Sequence, residues 1–114
     1  MLVVEDEPIL RLDTVDMVEE AGFDAVEAAN ADAALEILRA RSDIAILLTD
    51  IDMPGSMDGI KLARTVRDRW PPIEIIIVSG HRGVPDADMP ARGLFFWKPL
   101  PHREVAVALR CLLQ

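Results

Sequence analysis

Five short apolar runs, separated by stretches of helical periodicity, set the strongest limit on what this chain can fold into. The clearest is Ile44 to Leu48, which leads into Asp50-Ile51-Asp52. It is too short for a helix and too uniformly apolar for a strand wetted on one face, so it suits a strand covered on both. The β-branched stretch Ile73 to Val78 reads as another buried strand, Leu2 to Val4 and Leu94 to Trp97 read as strands, and Phe23 to Glu27 as a weaker one.

Helices fill the gaps. Pro8 opens the first, Leu10, Met17, Val18 and Ala21 recur at its spacing, and Gly22 stops it. Ala31, Ala34, Leu35 and Leu38 mark a second. Gly59, Leu62, Ala63, Val66 and Trp70 mark a third, ended by Pro71-Pro72, and Val105, Ala108, Leu109 and Leu112 a last one that starts near Pro101. Between Gly80 and Gly93 the pattern breaks down on Gly83, Pro85 and Pro90, which leaves room for a turn of helix and otherwise loop. Strands alternating with helices predict an α/β domain: a parallel sheet with helices on both faces, its ligand site beyond the carboxyl ends of the strands.

Composition narrows the function. A chain of 114 residues, 51% hydrophobic and 28% charged, predicts one folded domain over residues 1–114. No apolar run reaches the length of a membrane span and no basic flank marks a signal peptide, so a cytoplasmic protein with no membrane partner is expected. The single Cys111 fits a reducing compartment and reads as a small apolar residue on a helix. A formal charge of -8 argues against direct nucleic-acid binding, and Arg64, Arg67 and Arg69, with Asp68 among them, read as a solvated helix face.

The strand ends carry the chemistry. Glu5 and Asp6 follow the first strand, Asp50 and Asp52 the third, Ser79 the fourth and Lys98 the fifth. Carboxylates crowded at one sheet edge repel by about 1 to 4 kcal/mol per pair at 4 Å, a conflict that a hard divalent cation such as Mg2+ removes. A cation, a lysine and a hydroxyl beside an aspartate can hold a phosphoryl group, and a free carboxylate oxygen can attack phosphorus to give an aspartyl phosphate.

With these residues in place, the chain resembles the receiver domain of bacterial two-component response regulators. The matching pieces are "VVEDEP" at 3–8, "LLTDIDMPG" at 47–55, "MDGIKLA" at 57–63, "IIIVSGH" at 75–81 and "WKPL" at 97–100. The resemblance implies a flavodoxin-like, doubly wound five-stranded sheet in the order 2-1-3-4-5. It makes Asp50 the phosphoacceptor and Glu5 and Asp6 the acidic pair behind Mg2+, with Asp52 offering its backbone carbonyl. Ser79 and Lys98 grip the phosphoryl oxygens, Pro99 is a candidate cis-proline, and Phe95 holds the aromatic switch position. The Asp52 side chain, Gly80 and His81 border the site, and His102 is a surface residue. The implied partners are a sensor histidine kinase or histidine phosphotransfer protein and an output protein or domain.

Three departures from the family pattern stand out. The segment from Ser79 to Lys98 is short and full of helix breakers, so the family's fourth helix is expected to be reduced or missing. Ser56 reads as a one-residue insertion after Asp50, and Phe95 lacks the tyrosine hydroxyl often found at its position. Two other readings use the same residues. A small haloacid-dehalogenase-type phosphatase also carries an Asp-x-Asp pair after a strand, though on its first strand, and would need a cap over its substrate. A degenerate receiver would bind its partners without phosphorylation.

Overall fold

The computed structural model describes residues 1–53, 58–80 and 83–112. Five strands run β1 (Leu2–Val4), β2 (Val26–Ala28), β3 (Ile46–Asp50), β4 (Glu74–Ser79) and β5 (Leu94–Trp97). Four helices alternate with them: α1 (Pro8–Glu20), α2 (Ala31–Ala40), α3 (Gly59–Arg69) and α4 (His102–Leu112). All strand pairs are parallel and the sheet order is β2-β1-β3-β4-β5, the doubly wound flavodoxin-like arrangement.

The helix starts are written in the sequence. Pro8 occupies the first turn of α1, and the Glu7 side chain caps it by accepting from the Ile9 amide at 3.0 Å. Asn30 caps α2 through the Ala33 amide at 2.8 Å, and Asp58 caps α3 through the Lys61 amide at 2.9 Å. Each cap satisfies a backbone donor that the helix leaves open.

The sheet divides the interior into two cores. Leu47, Ile75 and Ile77 face α2 and α3, where they meet Leu35, Leu38, Leu62 and Val66. Their neighbours Ile46, Leu48, Ile76 and Val78 face α1 and α4, against Val18, Val105 and Leu109. This period-2 division explains the apolar runs 46–48 of β3 and 75–78 of β4: both faces of each run are buried. Among the described residues, no helix is long and apolar enough to cross a membrane.

Several boundaries shift from those read in the sequence. β3 runs to Asp50 rather than ending at Leu48, because Asp50 still pairs with Val78 in the ladder. β2 is confined to Val26–Ala28, the three residues opposite β1. Leu10, at core spacing with Met17 and Val18, is nevertheless 43% exposed in the first turn of α1. Between β4 and β5 the described residues contain one 3-10 turn, Asp86–Asp88, and no α-helix, in line with the expected loss.

Arg67 corrects the reading of its helix face as solvated. Its Nε donates to the Ala91 carbonyl at 2.8 Å, and its Nη1 donates to the Pro71 and Ile73 carbonyls at 2.7 and 2.8 Å. Arg92, in the left-handed region at φ 61°, adds a second donor to Pro71 at 2.6 Å. The chain leading into β5 is thus tied through guanidinium groups to α3 and to the turn before β4. Arg64 and Arg69 remain exposed.

Candidate functional site

The carboxyl ends of β1, β3, β4 and β5 bring Glu5, Asp50, Ser79 and Lys98 to one edge of the sheet. Glu5, Asp50 and Ser79 are 4%, 6% and 0% exposed, burial that demands partners for charged groups. Lys98 supplies the charge. Its Nζ donates to Glu5 Oε1 at 2.6 Å and to Asp50 Oδ2 at 3.1 Å, while its backbone amide donates to the Ser79 carbonyl at 2.9 Å. The Lys98–Pro99 peptide bond is cis.

Electrostatics follow from this geometry. Burial raises the pKa of Glu5; the hydrogen bond from Lys98 opposes that, and the negative charge of Asp50 reinforces it. Burial works against the charge of Lys98, but the hydrogen bonds to Glu5 and Asp50 outweigh it and raise the ammonium pKa. The lysine is therefore a firmly held cation between two buried carboxylates.

Asp6 adds a third carboxylate, and one oxygen each from Glu5, Asp6 and Asp50 lie within 4.8 Å of one another. An all-oxygen donor set with one acid open to solvent fits Mg2+, which retains several of its waters. Asp52 lies just beyond β3, exposed and engaged with neighbouring groups. Gly80 follows Ser79 beside the stem of Lys98, while His81 and Ser56 lie outside the described residues. Phe95 is partly buried against the α2/α3 core, its ring edge-on to Trp97 with centroids 5.0 Å apart. His102 is exposed at the start of α4, and Cys111 is exposed near its end.

Two residues at this edge lay beyond the sequence reading. Gly59 packs so closely on β3 that a Cβ there would overlap the Asp50 carbonyl and lie 2.9 Å from the Ile51 Cα. Arg11 donates from Nη1 to the Glu5 carbonyl at 2.9 Å and from Nε to Glu27 at 3.1 Å. Both act on backbone carbonyls, which side-chain patterns do not mark; the glycine at the first position of α3 was the one available hint.

The model of the response regulator receiver domain matches residues 1–92. The chain belongs to this family. A receiver of similar length, the response regulator receiver protein CpdR of Brucella abortus, is 33% identical over 99% of this chain and 95% of its own. The sensor kinase CckA of the same organism is 33% identical over the whole chain, which spans 12% of that kinase, and the sensor protein TorS of Escherichia coli is 36% identical over 71%, spanning 9% of its length. Among solved structures, the receiver domain of the hybrid histidine kinase CckA superposes with a TM-score of 0.82 at 27% identity, covering 99% of this chain and 97% of that one. A response regulator receiver protein from Pseudomonas putida gives 0.85 at 30% identity, with 96% and 93% covered. The chain is a receiver module of two-component signalling, and receivers of this kind occur both alone and inside sensor kinases.

Proposed function

We propose that residues 1–114 form one receiver domain in which Asp50 accepts a phosphoryl group from the phosphohistidine of a sensor kinase or a histidine phosphotransfer protein. One carboxylate oxygen of Asp50 attacks phosphorus as the P–N bond breaks, and the imidazole leaves with the electron pair and takes up a proton. The observation that carries this reading is the bridge from Lys98 Nζ to Asp50 and Glu5. It holds a cation at 3.1 Å from the buried carboxylate at the end of β3, where the charge of an added phosphoryl group would need one.

Glu5, Asp6 and Asp50, with the Asp52 carbonyl, would hold Mg2+, which when bound supplies positive charge to the phosphoryl oxygens. Lys98 can turn from the Asp50 carboxylate to a phosphoryl oxygen without leaving the pocket. Ser79, at the end of the neighbouring strand, would donate its hydroxyl to another oxygen and draw β4 toward the site. Phe95 lies on the adjacent strand and would follow by packing alone, passing the change to the segment before β5. The domain would thus assist its own phosphorylation and dephosphorylation while acting as a signalling module in the cytoplasm. Support for a kinase partner comes from its relatives among sensor kinases.

The test is incubation with acetyl phosphate and Mg2+ followed by intact mass. The expected result is the gain of one hydroxylamine-sensitive phosphoryl group, lost in Asp50→Asn. Absence of that gain in the native chain, or its persistence in Asp50→Asn, refutes the assignment.

A further inference from the structure

We infer that Arg11 is a positioning residue for the metal-binding loop, acting through the peptide that joins Glu5 to Asp6; the inference rests on the reading of these acids as Mg2+ ligands. The Glu5 carbonyl belongs to the same planar unit as the Asp6 nitrogen, so fixing that oxygen fixes the direction in which Asp6 leaves the loop. Arg11 Nη1 holds the oxygen at 2.9 Å. On the other side, the Glu5 amide donates to the Ala28 carbonyl of β2 at 3.1 Å, and Glu5 Oε2 accepts from the Glu7 amide at 3.3 Å. The loop is clamped at the residue before Asp6 and again at the one after.

Arg11 is itself anchored. Its Nε meets Glu27 Oε1 at 3.1 Å, and its side chain is 21% exposed against 50% for the glutamate. The guanidinium therefore spans α1, the loop after β1, and β2, with two donors in fixed directions and two different acceptors. A lysine could carry the charge but not this fork. Arg11 touches no carboxylate of the metal cluster, so it acts by geometry and not as a ligand.

The sign of one measurement separates this role from simple electrostatics. Removing a positive charge near three acids, with no other effect, strengthens cation binding; releasing the Glu5–Asp6 peptide weakens it. In Arg11→Gln and Arg11→Lys, both measured well below their melting temperatures, we expect Mg2+ to bind about tenfold more weakly by calorimetry, at the low end of what loss of an outer-shell partner costs a metal site. In the metal-free protein, backbone order parameters at Asp6 and Glu7 should fall in both variants while those of β3 stay unchanged. Tighter Mg2+ binding in Arg11→Gln, native affinity in Arg11→Lys, or native order at Asp6 in either variant overturns the proposal. If the unsubstituted chain binds no Mg2+, the metal reading fails by itself, and native order at Asp6 in the metal-free variants still separately overturns the clamp.

Discussion

Replacing Gly59 by alanine tests how tightly α3 is set against β3, the strand that ends on Asp50. A Cβ there would lie 2.6 Å from the Asp50 carbonyl carbon and 2.9 Å from the Ile51 Cα, with the carbonyl oxygen nearer still. Carbon atoms pack best at about 3.5 to 4.0 Å and the carbonyl oxygen stands closer than either carbon, so the helix or the strand must retreat by more than about 1 Å. The obstacle is backbone, which cannot rotate away as a side chain would. Overpacking typically costs about 1 to 3 kcal/mol, and the upper end applies where both sides are main chain. Alanine regains about 1 kcal/mol in helix propensity, which leaves a net loss of about 2 kcal/mol. That corresponds to a drop of roughly 10 °C in melting temperature for a domain of this size. Urea and thermal unfolding followed by circular dichroism measure it. Gly80→Ala is the control, because its Cβ would meet the Lys98 side chain at an ordinary 3.7 Å. Without the close approach, alanine at the start of a helix stabilises, so a Gly59→Ala protein that melts at or above the native temperature refutes the reasoning.

Two further outcomes follow from the structure. Arg67→Ala removes donors from the Ala91, Pro71 and Ile73 carbonyls and should cost about 2 kcal/mol, with amide exchange rising in residues 83–93 more than in β1; Arg67→Lys should recover less than half of the loss. Native exchange rates in the alanine variant would count against the clamp. Mg2+ at ten times its dissociation constant should stabilise the chain by about 1.4 kcal/mol, and chelation or Asp6→Asn should remove the gain. A melting temperature indifferent to magnesium contradicts the placement of the metal at Glu5, Asp6 and Asp50.

What could be read in the sequence was whatever side chains advertise. The uniform apolar runs of β3 and β4 announce strands with two covered faces, and their alternation with helical patterns selects a parallel sheet. Asp50, Ser79 and Lys98 were legible because each strand end delivers a different chemical type, and the sheet carries them to one edge. Residues that act on the main chain stayed hidden. Nothing in a helix face rich in arginine and aspartate distinguishes Arg67, which binds three carbonyls, from exposed Arg64 and Arg69. Leu10 shows the converse: its spacing is right for the core, yet in the first turn of its helix it stays 43% exposed.

The clamp around Arg67 has a further consequence for how this domain can vary. A helix packed against β5 would recognise its neighbours through side chains, so each contact would restrict two positions. Arg67 grips Ala91, Pro71 and Ile73 only by their carbonyls, which every amino acid possesses. The backbone at Ala91, Pro71 and Ile73 is therefore held whatever side chains those positions carry, whereas Val84 and Met89 in the same approach to β5 still pack against the α2/α3 core. Mutation can vary position 91 freely, while the guanidinium groups of Arg67 and Arg92 keep the main chain before β4 and β5 in place.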